Sequence, residues 1–315
     1  MKKITIVMLC ILVVGLCLGA AGFAHGGMKA LAFGWHDGKL VRAEGFNDMV
    51  KVDEDFGKAK ITNLVVDIEV MRRVLVTEGD TFSVKGQNWR SNGGLKATLD
   101  GKTLTVGPSE KDGIWKNLLS FDWKSDRDCT VTITVPKGAA LKTLDAHVNV
   151  ASLRVENVAT DEAAVSSDVG EIEIEDVTAE RLTVETNVGD AKMSGVDAGS
   201  AEIQTDIGEL RADALRAKNL TFESNVGSGV FTGLVIDGTG VFKADTGEIE
   251  IAFDMDEDEV DYEVDSDVGD VRVDGRKVDD DDSPGPSSAY AHRADSAKAR
   301  VTVETNVGGV KLSFR

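Results

Sequence analysis

The stretch RLTVETNVGDAKMSGVDAGS, Arg181 to Ser200, reads as an alternating strand, a glycine turn and a second alternating strand. A looser copy, SAEIQTDIGELRADAL, begins at Ser200, and NLTFESNVGSGVFTGL begins at Asn219. Anchored on the turn glycine, the units fall at Gly170, Gly189, Gly208, Gly227, Gly247, Gly269 and Gly308, with Ala151 one step earlier. The steps are 19, 19, 19, 19, 20, 22 and 39 residues. Five positions before the anchor stand Ala146, Val165, Val184, Ile203, Phe222, Phe242, Val264 and Val303. Two after stand Leu153, Ile172, Ala191, Leu210, Gly229, Ile249, Val271 and Val310; four after stand Val155, Ile174, Met193, Ala212, Phe231, Ile251, Val273 and Leu312. One before, every unit has Val or Ile except Thr246.

Alternate side chains of a strand face one way, so each unit supplies two strands, each with one apolar face. One unit cannot bury that face alone. Stacking units about 4.8 Å apart pairs each strand with its copies and closes the two sheets on a shared core. Each inward aliphatic side chain contributes roughly 1.5–3 kcal/mol before conformational entropy is subtracted. The pattern predicts an all-β chain: a parallel β-solenoid with about 19-residue coils, preceded by a β-rich N-terminal cap. An antiparallel sandwich is the rival, but it requires no fixed register. Glycine suits a corner with positive φ. Two before it stand Asn149, Asp168, Asn187, Asp206, Asn225, Asp245, Asp267 and Asn306, alternating Asn and Asp over the first six. Stacked carboxylates repel, and interleaved amides can donate hydrogen bonds to them.

The chain of 315 residues divides into 1–24, a signal or transmembrane anchor; 25–44, a linker; 45–141, the capping region; and 142–315, the repeats, with an acidic loop at 276–297. Lys2 and Lys3 precede an uncharged apolar run from Ile4 to Ala24, long enough at about 1.5 Å per residue to span a bilayer core. It reads as an uncleaved anchor with the rest of the chain outside, or as a signal cut after Ala24. Beyond it the sequence has one cysteine, Cys129, read as a small packed hydrophobe, so the core must hold the exported part together. In the cap, Trp115, Phe121 and Trp123 read as core or as an exposed aromatic patch. The last unit is expected to close the C-terminal end of the stack.

A net charge of −20 argues against nucleic-acid binding. Between Asp254 and Asp282 fifteen acids face only Arg272, Arg276 and Lys277, which reads as a solvated edge or a cation-attracting patch. His25, His36, His147 and His292 are scattered, with no nucleophile motif, paired-histidine metal spacing or phosphate loop. The position after each anchor is acidic in Glu171, Asp190, Glu209, Glu248 and Asp270. Carboxylates on adjacent coils could share a calcium ion, so Glu171, Asp190 and Glu209, with Asp168 and Asp206 nearby, are the candidate metal ligands. The plainer reading of that column is a solvated acidic edge. No other cofactor is expected.

The run TVTITVPKGAALKTLDAHV, Thr130 to Val148, followed by repeated [ST]-[DN]-V-G-[DE]-[AIV] units, resembles the bacterial putative-adhesin family, a strand-repeat domain of unknown function. The resemblance covers about Gly45 to Arg315. It implies a membrane-anchored, non-enzymatic cell-surface module whose partner is an envelope polymer or a surface protein. Two other readings stay open: an accessory of an envelope-stress response, and a polysaccharide lyase, which would need clustered acids with Lys or Arg on one face.

Overall fold

The computed structural model describes residues 33–36, 39–42, 48–109, 128–278 and 288–315. The anchor at 1–24, the aromatic group Trp115, Phe121 and Trp123, and Asp279–Asp282 lie outside the described residues. The repeats stack as parallel rungs. Each has a long arm, such as Thr178–Val188, and a short arm, such as Ala191–Ser194, on either side of the glycine corner. The register is like on like: Val165 pairs with Val184, Val184 with Ile203 and Ile203 with Phe222. These side chains are all 2% exposed or less. The all-β parallel solenoid read from the sequence is the fold observed.

The stack does not follow chain order at its ends. At the top, the second half of Gly229–Thr246 pairs with Ala299–Val307 rather than with Val260–Val268. Ala299–Val307 pairs in turn with Val260–Val268. The short arms agree, since Ile249–Phe253 and Val271–Val273 both pair with Val310–Ser313. The last unit therefore does not close the stack, as its place in the sequence suggests; it is the penultimate rung.

The Asn/Asp column gives the physical reason. In spatial order it runs Asn149, Asp168, Asn187, Asp206, Asn225, Asp245, Asn306, Asp267, alternating without a break. Asn187 donates to Asp168 at 3.1 Å, Asn225 to Asp206 at 2.9 Å and Asn306 to Asp245 at 3.0 Å. Stacked in chain order, Asp245 and Asp267 would lie one above the other and repel.

At the base, Thr103–Gly107 and Thr130–Pro136 lie under Asn63–Gly79, which lies under Leu141–Glu156, all parallel. The solenoid therefore begins inside the stretch expected to be only a cap. True cap strands follow in antiparallel pairing: Lys96–Asp100 on Thr103–Gly107, and Phe82–Trp89 between Thr130–Pro136 and Met49–Gly57. The top is covered likewise, by Ser288–His292 against Val260–Val268 and by Arg276–Lys277 against Val271–Val273. The expected loop at 276–297 thus carries two short strands, and 279–287 lie outside the described residues. Within the expected linker, Phe33–His36 and Lys39–Arg42 form a two-stranded antiparallel sheet. Tyr262 packs beneath Tyr290, His292 and Phe314, which gives the top an aromatic lid.

Close approach explains the glycine corner better than backbone freedom alone. Gly189 has φ of +142°, and a Cβ there would lie 2.0 Å from the Gly170 carbonyl oxygen of the rung below. The glycine amide meanwhile bonds upward, Gly189 N to Ile207 O at 2.9 Å. Ala151 is tolerated at the first unit, whose neighbour Asn63–Gly79 shifts register between Val70 and Arg73. Gly229, a lapse in an otherwise bulky column, leaves room for aromatics: a Cβ would lie 2.4 Å from Phe222 Cε1. Phe222, Phe231 and Phe242 then pack edge to face at 5.4 and 5.0 Å. Cys129 is fully buried, as expected.

Gly189→Ala should cost about 3 kcal/mol or more, because the clash is with backbone that cannot move without breaking the ladder. Ala151→Gly should cost about 1 kcal/mol or less. Chemical denaturation of the two variants checks the contrast.

Candidate binding surfaces of the stack

Two long surfaces run parallel to the stack. The first is the outer face of the short arms. Arg154, three residues past its corner, sits between three carboxylates. Its guanidinium donates to Glu156 at 2.7 Å and Glu173 at 2.9 Å, and also to Glu175. Thr77 Oγ1 adds a hydrogen bond to Glu156 at 2.9 Å. These bonds hold the Glu156 carboxyl below its ordinary range, chiefly through Arg154, and push the Arg154 guanidinium up, chiefly through Glu156. Lys192 pairs with Glu171, and Arg211 with Glu209 at 3.0 Å. Arg154, Lys192 and Arg211, with Glu173, Glu175 and Asp213, line an open cleft of about 420 Å³.

The predicted metal ligands are placed by this pairing. Glu171, Asp190 and Glu209 do line up just past the corner, as the register of Ile172, Ala191 and Leu210 requires. Yet Lys192 holds Glu171, Arg211 holds Glu209, and Asp190 accepts the Glu209 amide at 3.0 Å. Asp168 and Asp206 belong to the Asn/Asp ladder and are separated by the rung of Asn187. A bridging calcium ion would have to displace Lys192 and Arg211. Among the described residues, no group of three or more His, Cys, Asp or Glu is placed to hold a metal ion. Bases stand three residues past five of the eight anchors, at Arg154, Lys192, Arg211, Arg272 and Lys311, but that broken column does not by itself say which carboxylate each one reaches.

The second surface is the glycine corner itself. Val150, Val169, Val188, Ile207, Val226, Val307 and Val268 are 45–54% exposed. They stack on one another in register, with Thr246 between Val226 and Val307. Apolar like the inner columns, this column faces outward, because the chain turns at the corner. It makes an aliphatic ridge about 34 Å long, from eight rungs at about 4.8 Å. The Asn/Asp ladder flanks it on one side and the acidic column on the other. At its first rung, His147 Nδ1 lies 2.9 Å from Ser166 Oγ and its Nε2 lies 2.8 Å from Asn149 Oδ1.

Fold and faces define a class: a parallel β-solenoid, capped by antiparallel strands, whose surface charges are paired in columns. The chain belongs to the Toastrack DUF4097 family, whose model matches residues 61–313. Among solved structures, a putative adhesin from Bacteroides fragilis is similar over 84% of this chain and 97% of its own, at 15% identity and a TM-score of 0.50. A putative cell adhesion protein from Clostridium sporogenes is similar over 85% of this chain and 100% of its own, at 11% identity and a TM-score of 0.31. A putative lipid binding protein from Parabacteroides distasonis is similar over 85% and 98%, at 9% identity and a TM-score of 0.46. No curated protein matches the sequence. Among the described residues no helix is long and apolar enough to cross a membrane.

Arg154→Met leaves Glu156, Glu173 and Glu175 facing one another and should destabilise by on the order of 1–2 kcal/mol at pH 7. Glu156 has a depressed folded pKa, so its contribution is present above the ordinary carboxylate value and lost as pH falls through the folded one. The gap between the melting temperatures of wild type and variant should therefore shrink below about pH 4. Melting curves from pH 3 to 7 check this.

Proposed function

We propose that this protein is a non-enzymatic, adhesin-like interaction module of the cell surface. The N-terminal apolar segment holds it at the membrane, and the solenoid projects outside. The aliphatic ridge carries the reading. Seven Val and Ile side chains left about half exposed in one file, interrupted only by Thr246, form a surface of the kind that marks an interaction site. The carboxylates of the ladder along one border, Asp168, Asp206, Asp245 and Asp267, select a surface protein with basic residues beside an apolar strip, since complementary charge steers association and rejects wrong partners.

The charged short-arm face offers little to a lyase. An acid–base catalyst at neutral pH needs a pKa drawn toward 7. Here the resolved shifts run the other way: Glu156 down, Lys192 up through Glu171, Lys311 up through Glu248, and Asp270 down through Lys277.

The test replaces Val169, Val188, Ile207 and Val226 by Thr, which column neighbour Thr246 shows the corner accepts. Cells displaying the full chain are measured for adherence to protein-coated surfaces. The variant should keep its melting temperature within about 4 °C, the shift of roughly 1 kcal/mol at this size, and should lose adherence at least about tenfold, or 1.4 kcal/mol. Unchanged adherence of the variant, or no adherence by the wild type, would refute the reading.

A further inference from the structure

At the base of the stack, the corner opposite the glycine file gathers four chain segments that are far apart in sequence. The Thr62 amide donates to Lys102 O at 3.0 Å, the Lys142 amide to Thr62 O at 2.7 Å, and the Lys137 amide to Gly79 O at 3.1 Å. These bonds fix the segments around a cleft of about 580 Å³. Lys58, Lys60, Lys102 and Lys137 line it, and Asp80 is the one carboxylate in the lining. Lys137 also reaches Glu78 at 3.4 Å. Among the described residues, Lys58, Lys60 and Lys102 form no ion pair.

What sets the cleft apart is that four lysines meet a single carboxylate in its lining. The chain carries 55 acids against 35 Lys and Arg, so a lysine placed at random meets a carboxylate more often than another lysine. Elsewhere among the described residues Lys192, Lys243, Lys298 and Lys311 are ion-paired, whereas the single exposed Lys51, Lys96, Lys142 and Lys218 are not. Three unpaired ammonium groups around one cleft repel one another, and an anion between them relieves the repulsion. The apolar part of the lining comes from Ala59, Ile61, Phe82 and Ala139. Polar charge beside an apolar wall suits a ligand with a compact anionic group and an apolar portion.

We propose that this cleft binds a phosphodiester anion, with Lys58, Lys60, Lys102 and Lys137 as its counter-charges and the apolar wall receiving the adjoining hydrocarbon. The site lies away from the aliphatic ridge and does not depend on the surface-binding reading. Lysine suits the role as a flexible point charge with three donors, able to converge on phosphate oxygens from several loops.

The test is calorimetric titration of the full chain, held in a non-ionic amphipol. The probes are dihexanoyl phosphatidylglycerol, dihexanoyl phosphatidylcholine and glycerophosphoglycerol. The anionic lipid should bind at least about tenfold more tightly than the zwitterionic one, and its affinity should fall as salt rises. Lys60→Gln with Lys102→Gln should lose at least about tenfold, while Lys60→Arg with Lys102→Arg, which keeps the charge, should retain most of the affinity. Weaker binding of glycerophosphoglycerol than of the anionic lipid supports the part given to the apolar wall; equal binding would refute that part. Equal affinity for the two lipids, or a Gln variant that binds as well as wild type, would overturn the proposal.

Discussion

The structure depends on the contact between one rung and the next. Strands about 4.8 Å apart leave room above each side chain only for a side chain of matching shape, or for a deliberate gap. At the glycine corner the constraint is tightest, because the carbonyl oxygen of one rung stands where the next would place a Cβ. Every other column inherits that register. Val, Ile and Leu fill continuous internal files, and Gly229 is small because Phe222 and Phe231 are large. A one-residue slip anywhere would turn the files outward along the rung.

The same constraint makes the order of rungs specific. A parallel stack of similar units has many ways to mispair, and aliphatic files alone do not distinguish them. The Asn/Asp ladder does. Asn187, Asn225 and Asn306 each donate to a neighbouring carboxylate, so an Asp rung next to an Asp rung is disfavoured. The 260–273 rung therefore leaves a place for the 299–313 rung, which completes both ladders when it enters between its neighbours. Antiparallel strands then cover both ends, which removes the edges through which such stacks would extend without limit.

The periodic middle was legible in the sequence because its partners lie one period apart, and columns of Val, Ile and Gly recur there. The base was not. Asn63 and Thr143 are neighbours 80 residues apart, and no glycine anchor marks the strand of Asn63. The inserted rung was half legible, since the alternation seemed to fail at Asp245 and Asp267 and was completed by Asn306. On the surface, the acidic column after the corner was readable, but its neutralising partner was not: Lys192 reaches Glu171 across 21 residues of chain. The outward ridge is hidden from simple alternation because the corner adds a turn that the period of two does not count. The lysine cleft is invisible to any linear reading, since it is assembled from segments at 58–62, 79–82, 102 and 136–140.

The order of rungs is the claim most open to direct trial. Lys243 and Glu304 are register partners on adjacent rungs, and Glu304 separates Lys243 from Asp265. With Cys10 and Cys17 replaced by Ser, the pair Lys243→Cys and Glu304→Cys should form a disulfide on mild oxidation, since facing Cα atoms lie about 4.8 Å apart. The pair Lys243→Cys and Asp265→Cys, two rungs or about 9.6 Å apart, should remain reduced. Efficient cross-linking of 243 to 265, with none to 304, would show that the units stack in chain order and would contradict the architecture described above.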